Sequence, residues 1–157
     1  MKVMKRILFI IMSIPVLIVV LFIVFEIFGM VVNHASTGIQ TAKLEKAVKE
    51  IDDLKVIDTY SKTGNTSGTG NHVDMMTILI VQTDAGISSL QEALEDYADM
   101  DEYGFRIESL SDVNKAHEEH DYLYSIYDNL KIPEQDDSCY LIFCVDSAPF
   151  ADNIQGH

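Results

Sequence analysis

ILFIIMSIPVLIVVLFIVF, residues 7–25, is the most decisive stretch of this chain, and within it Ser13 and Pro15 alone interrupt large apolar side chains. A helix of this length, at ~1.5 Å per residue, is close to the ~30 Å hydrocarbon thickness of a bilayer. The run begins at Ile7 and ends at Phe25, and a further apolar segment follows Glu26 and ends at Val32. The sequence therefore predicts a transmembrane helix within residues 1–32.

The charges beside this helix predict its orientation. Lys2, Lys5 and Arg6 precede the apolar run, whereas residues 33–42 contain no Lys or Arg. Positive residues are retained on the cytoplasmic side of a membrane. We therefore expect a single-pass protein of the cell membrane, with a cytoplasmic N-terminus and an extracytoplasmic C-terminal domain.

A cleaved secretory signal is the alternative interpretation of the same segment. Such signals have an apolar core of ~7–15 residues followed by small residues at the cleavage site. Here the core is longer, and the best cleavage candidate, Asn33-His34-Ala35, has Asn where a small residue is required. The sequence favours an uncleaved signal anchor.

Beyond the anchor the chain is strongly acidic. Residues 33–157 contain 8 Lys and Arg against 24 Asp and Glu, a net charge of −16. Such a surface repels phosphate backbones, which excludes nucleic-acid binding, and it favours a basic protein partner. We interpret residues 33–42 (NHASTGIQTA) as a polar tether and residues 43–157 as one acidic domain.

Hydrophobic periodicity predicts the elements of this domain. Helical spacing indicates helices at residues 43–54 and 112–130, and another that starts at a capping box formed by Ser89 and Glu92. β-type runs indicate strands at residues 56–61, 73–83, 105–110 and 139–145. The order α-β-β-α-β-α-β is typical of an α+β fold, with a four-stranded, mostly antiparallel sheet and helices packed on one face. The split βαβ arrangement is the nearest common topology.

The two cysteines belong to the last strand, whose continuously apolar sequence predicts burial on both faces. Cys139 and Cys144 are an odd number of residues apart, so they should face opposite sides of the sheet. We expect two buried free thiols and no disulfide between them.

The glycine-rich segment of residues 63–72 (TGNTSGTGNH) predicts a wide hairpin tip. It lacks the Lys-Ser/Thr and the following helix that a phosphate-binding loop requires. Loops of this length often carry recognition, so Asn65, Asn71 and His72 are the predicted binding residues.

The segment His117-Glu-Glu-His120-Asp121 suggests a metal site. Zinc hydrolases place two histidines four residues apart on one helix face, whereas here the second comes one residue early and Asp121 takes its place. His117, His120 and Asp121 are therefore candidate metal ligands with an incomplete motif. The alternative interpretation is a hydrogen-bonded, half-buried histidine beside an acidic, solvated helix face.

No set of residues forms a nucleophile, a base and an orienting partner, so we expect neither catalysis nor a cofactor. The predicted function is a membrane-anchored, non-enzymatic binding protein, for example an immunity-type inhibitor that neutralises a toxin at the membrane. One alternative is a metal-dependent hydrolase or metal-binding accessory protein that uses His117, His120 and nearby acids. Another is an accessory subunit of a membrane complex.

Overall fold

The computed structural model describes residues 2–66, 70–100, 104–112, 130–131, 133 and 138–157. The helices and strands, in chain order, are α1 (Lys2–Val48), β1 (Lys55–Gly64), β2 (Asp74–Gln82), α2 (Gly86–Ala93), β3 (Phe105–Ser109) and β4 (Cys139–Ser147). Two short 3-10 turns, Glu95–Tyr97 and Ile154–Gly156, follow α2 and β4. The fold is α+β, as the sequence predicts.

Helix α1 is a single helix of 47 residues, about 70 Å long at ~1.5 Å per residue. Its N-terminal part is long and apolar enough to cross a membrane, and the large apolar side chains described there are exposed. Pro15 lies inside the helix. The apolar run and the first helix of the domain are therefore parts of one continuous helix.

The predicted tether of residues 33–42 is wrong, because these residues are helical. Asn33 and Thr37 are buried, and the Thr37 hydroxyl donates to the Asn33 carbonyl oxygen at 3.1 Å. The Thr41 hydroxyl donates in turn to the Thr37 carbonyl at 2.9 Å. The polar composition that suggests a tether is thus the buried polar face of a helix that packs on the sheet.

The described strands form one sheet in the order β1-β2-β4-β3. Every neighbouring pair is antiparallel. Strands β2 and β3 consequently run parallel, with β4 between them and α2 in the connection. This is the split βαβ arrangement that the sequence indicates as the nearest common topology.

The sheet is buried on both faces, as expected for alternating side chains of central strands. On one face of the sheet, alternate residues of β2 and β4 pack with Leu110 and Leu130. On the other face, the intervening residues of the same two strands pack against α1 and α2, through Leu44, Val48, Leu90 and Leu94. Cys139 belongs to the first cluster and Cys144 to the second, and both are buried cysteines that form no disulfide. The predicted opposite orientation of the two thiols is confirmed.

Several predicted helix boundaries differ from the structure. Helix α1 ends at Val48, six residues before the predicted end. Helix α2 begins at Gly86, so Ser89 lies inside its first turn and donates to the Ala85 carbonyl at 3.1 Å instead of capping the helix. The predicted capping box is therefore wrong. The predicted helix of residues 112–130 lies largely outside the described residues.

Candidate functional site

The predicted binding loop is held largely by contacts within the protein. The Asn65 amide Nδ2 donates to the carbonyl oxygens of Gly70 at 2.7 Å and Gly156 at 3.2 Å. The His72 Nε2 lies 3.1 Å from the Ser147 hydroxyl. Asn71 is exposed. Two of the three predicted residues thus position the loop against β4 and the C-terminal segment.

A buried carboxylate that sequence reasoning missed organises the same loop. Asp74 is 6% exposed, and its Oδ2 accepts from the Thr66 backbone N–H at 3.1 Å and from the Thr66 hydroxyl at 3.0 Å. His72 Nε2 lies 3.4 Å from the other carboxylate oxygen. The loop is therefore anchored at both ends by polar contacts. Its role in recognition stays a prediction.

The predicted metal ligands His117, His120 and Asp121 lie outside the described residues. Within the part of the chain that the structure describes, no group of three or more His, Cys, Asp or Glu side chains is arranged to hold a metal ion.

A groove of about 370 Å³ lies between α1, the end of β4 and the turn that follows α2. We call it the α1 groove. Its helix wall includes Ile39, Gln40 and Lys43; its other walls include Met75, Tyr97, Met100, Cys144 and Asp146. Methionine side chains adapt their shape to different partners, and Lys43 and Asp146 add charges of opposite sign. The groove is suited to an apolar side chain with polar groups around it.

Cys144 forms part of this groove as a protonated thiol. Burial and, to a smaller extent, nearby Asp146 raise the pKa of Cys144 to about 11, and the hydrogen bond from Gln40 opposes the shift. That hydrogen bond runs from Gln40 Nε2 to Cys144 Sγ at 3.4 Å. Because the thiolate is the nucleophilic form, Cys144 is a weak nucleophile near pH 7.

A polar layer joins α1 to the sheet beside the groove. The hydroxyls of Thr41 and Thr77 lie 2.9 Å apart, and those of Thr37 and Thr63 lie 2.6 Å apart. Thr77 is completely buried. Paired hydroxyls of this kind satisfy each other away from water and specify how the helix sits on the sheet. This layer holds the helix wall of the groove in place.

The C-terminal segment, residues 149–157, packs against one face of α1 where the first apolar run ends, and we call it the collar. The Asn33 side chain pairs with the Phe150 backbone in both directions: Nδ2 donates to the Phe150 carbonyl at 3.0 Å, and Oδ1 accepts from the Phe150 N–H at 2.9 Å. The Phe150 ring lies edge-on to Phe25 and Phe28, with centroids 5.6 and 5.7 Å away. The collar is therefore attached to α1 by both polar and aromatic contacts.

Glu26 holds the other end of the collar. Its carboxylate Oε2 accepts from Asn153 Nδ2 and from the Ile154 backbone N–H, each at 2.9 Å. Asn153 Nδ2 also donates to the Glu26 carbonyl at 2.8 Å. Gly29 lies beneath these contacts, and a Cβ there would be 2.7 Å from Asn153 Nδ2. The absence of a side chain at Gly29 is what allows the close approach.

The residues that bound the predicted transmembrane segment occupy different environments. Ile7 lies near the start of α1, Phe25 contacts the collar, and Val32 is half-buried. Sequence reasoning did not predict that the collar packs on α1, although Glu26, Gly29 and Asn33 share one helix face at spacings of three and four.

No protein-family model matches this chain, and searches of curated proteins and of solved structures likewise find no significant match.

Proposed function

We propose that this protein is a single-pass membrane protein whose domain binds another protein at the bilayer surface without catalysis. In this proposal α1 is the anchor, the N-terminus is cytoplasmic and residues 33–157 are extracytoplasmic. The observation that carries it is the continuity of α1, which joins an exposed apolar rod to a helix buried in the domain core.

The packing of α1 also argues against removal of the apolar segment as a cleaved signal. A cut after Ala35 would separate Glu26, Gly29 and Asn33 from the domain. These residues hold the collar, and Asn33 is completely buried. Loss of buried hydrogen-bond partners leaves unsatisfied polar groups at a cost of about 1–3 kcal/mol each. The folded domain is therefore expected to require an intact α1.

A rigid anchor places the α1 groove at a defined height above the membrane. Ile39 and Lys43 follow Glu26 by 13 and 17 residues, which is ~20–25 Å along a helix. A partner in this groove must itself approach the membrane surface. We therefore propose that the partner is a membrane-associated protein that inserts an apolar side chain into the groove. An immunity-type inhibitor that binds a membrane-acting toxin in this way is one example of such a function.

Cysteine labelling tests the anchor and its orientation, because both native thiols are buried. A membrane-impermeant maleimide should label a Lys55→Cys variant in intact cells. It should label a Lys5→Cys variant only after the cells are lysed. The wild-type protein is the matched control and should stay unlabelled. Labelling of Lys5→Cys but not Lys55→Cys in intact cells, or a mature protein that lacks its first three dozen residues, would contradict the proposal.

Site-specific photo-crosslinking tests the groove. A photoreactive phenylalanine analogue at Ile39, which is 57% exposed, should give a discrete adduct with a membrane-associated protein in intact cells. The same analogue at Lys62, an exposed residue of β1, is the matched control and should give none. A second change, Ser36→Phe, fills the groove and should abolish the adduct. Equal adducts at both positions, or no adduct at Ile39, would refute binding in this groove.

A further inference from the structure

The collar lies at a particular level along α1. Its contacts with the helix lie between Phe25 and His34, where the run of residues 7–25 ends. If α1 spans a bilayer from Ile7 onward, ~30 Å of hydrocarbon ends close to Glu26. Any segment bound to the helix at that level is then at the boundary between hydrocarbon and head groups.

The outer surface of this region carries large apolar side chains beside the exposed carboxylate of Asp152. Phe25 and Phe28 remain 56% and 59% exposed after their contacts with Phe150, and Ile154 is 55% exposed. A cavity of about 290 Å³ lies between Phe25 and residues 149–153. This surface is continuous with the apolar face of α1, whose described large side chains are also exposed. The hydrophobic surface therefore extends from the helix onto the collar.

Several backbone groups of the collar have hydrogen-bond partners within the protein. The Phe150 N–H and C=O are bonded to Asn33, and the Ile154 N–H is bonded to Glu26. The Val73 N–H donates to the Ala151 carbonyl at 2.7 Å, and the Val73 carbonyl accepts from Ala148 at 2.9 Å. In water these groups need no protein partner, whereas in a region poor in water each unpaired group is costly.

We propose that the collar is seated in the interfacial region of the bilayer, with Phe150 and Ile154 against the glycerol and upper acyl region of phospholipids. This inference rests on the proposed membrane anchor and extends it: the protein contacts lipid through residues 149–157 as well as through α1. Aromatic and aliphatic side chains at this depth bury apolar surface while the polar backbone stays paired. The collar thereby fixes the depth of α1 and the height of the α1 groove.

Depth-dependent fluorescence quenching tests this placement, because the chain contains no tryptophan. Three single-tryptophan variants of the full chain are reconstituted in phosphatidylcholine vesicles with or without brominated acyl chains. Ile154→Trp probes the collar and Val19→Trp probes the apolar run. Lys49→Trp, ~35 Å beyond Glu26 along the helix, is the matched aqueous control. All three positions are exposed, so the fold should tolerate the changes.

We expect brominated vesicles to reduce the emission of Ile154→Trp and Val19→Trp at least twofold and to leave Lys49→Trp unchanged. Emission of Ile154→Trp should also lie at shorter wavelength than that of Lys49→Trp. If Val19→Trp is quenched and Ile154→Trp behaves like Lys49→Trp, the collar is in water and the inference is wrong. If Val19→Trp is itself unquenched, the membrane anchor fails, and the inference fails with it.

Discussion

Replacing Gly29 by alanine should open the collar while leaving the sheet intact. The new Cβ would lie 2.7 Å from Asn153 Nδ2 and 3.2 Å from the Phe150 ring, distances that the folded collar cannot keep. Asn153 is 4% exposed and is held by two hydrogen bonds to Glu26. Because Nδ2 is the end of the side chain, Asn153 makes room for the new Cβ by rotating away from Glu26, which breaks those bonds.

The size of this effect follows from the bonds that are lost. A neutral hydrogen bond contributes about 0.5–1.5 kcal/mol and one to a charged group about 1.5–3 kcal/mol. Loss of the two Asn153 bonds to Glu26, one of them to its carboxylate, therefore favours collar opening by about 2–4 kcal/mol. Helix propensity does not offset this, since α1 is helical in both the closed and the opened state. Amide exchange through collar opening should accelerate about 30-fold or more.

Hydrogen–deuterium exchange of the full chain in nanodiscs measures this directly. The reporters are the Phe150 and Ile154 amides, which donate to Asn33 and Glu26. Gly38→Ala is the matched control, because a Cβ at Gly38 meets nothing within 4 Å. It should leave exchange in residues 148–157 unchanged. If this segment of the Gly29→Ala variant exchanges as slowly as in the wild-type protein, the close packing of Gly29 against the collar is refuted.

Three further changes have expected outcomes of their own. Asn33→Ala removes both bonds to Phe150 and should lower the free energy of unfolding by about 1–3 kcal/mol; an unchanged melting temperature by circular dichroism would contradict this. Because burial raises the pKa of Cys144 to about 11, the wild-type protein should lose about 2 kcal/mol of stability between pH 8 and pH 10.5, as the unfolded thiol ionises first. In urea titrations Cys144→Ala should lack this component, and parallel pH profiles of the two proteins would refute it. The hydrogen bonds from Lys49 and Thr59 lower the pKa of Glu45, so its stabilising contribution is present above about pH 4.5 and lost as pH falls further. The stability difference between wild type and Glu45→Gln should therefore shrink on acidification, whereas a difference independent of pH would count against it.

Local patterns were sufficient for much of the fold. The continuous apolar sequence of β4 indicates a strand buried on both faces, and the structure confirms this. The odd spacing of Cys139 and Cys144 places them on opposite faces, because side chains alternate along any strand. Such features depend on neighbours a few residues away, and the sequence displays those neighbours directly.

Local patterns failed where polar residues are buried. Asn33, Thr37 and Thr41 recur at the four-residue spacing of one helix face, yet their polarity suggests a solvated tether. Their burial depends on hydroxyl partners such as Thr63 and Thr77, which lie on other elements. A polar side chain enters the core once such a partner is available, and composition alone does not reveal one.

The sequence by itself determined the long apolar helix and the acidic α+β domain, because the free energy of burying each side chain depends on its own chemistry and its near neighbours. The tertiary structure alone decided that this helix continues into the domain and that the collar closes on it. The contacts that attach the collar join Phe150 to Asn33 and Ile154 to Glu26, which are 117 and 128 residues apart. No periodicity links residues at such separations, so the folded chain has to bring them together before their hydrogen bonds can form.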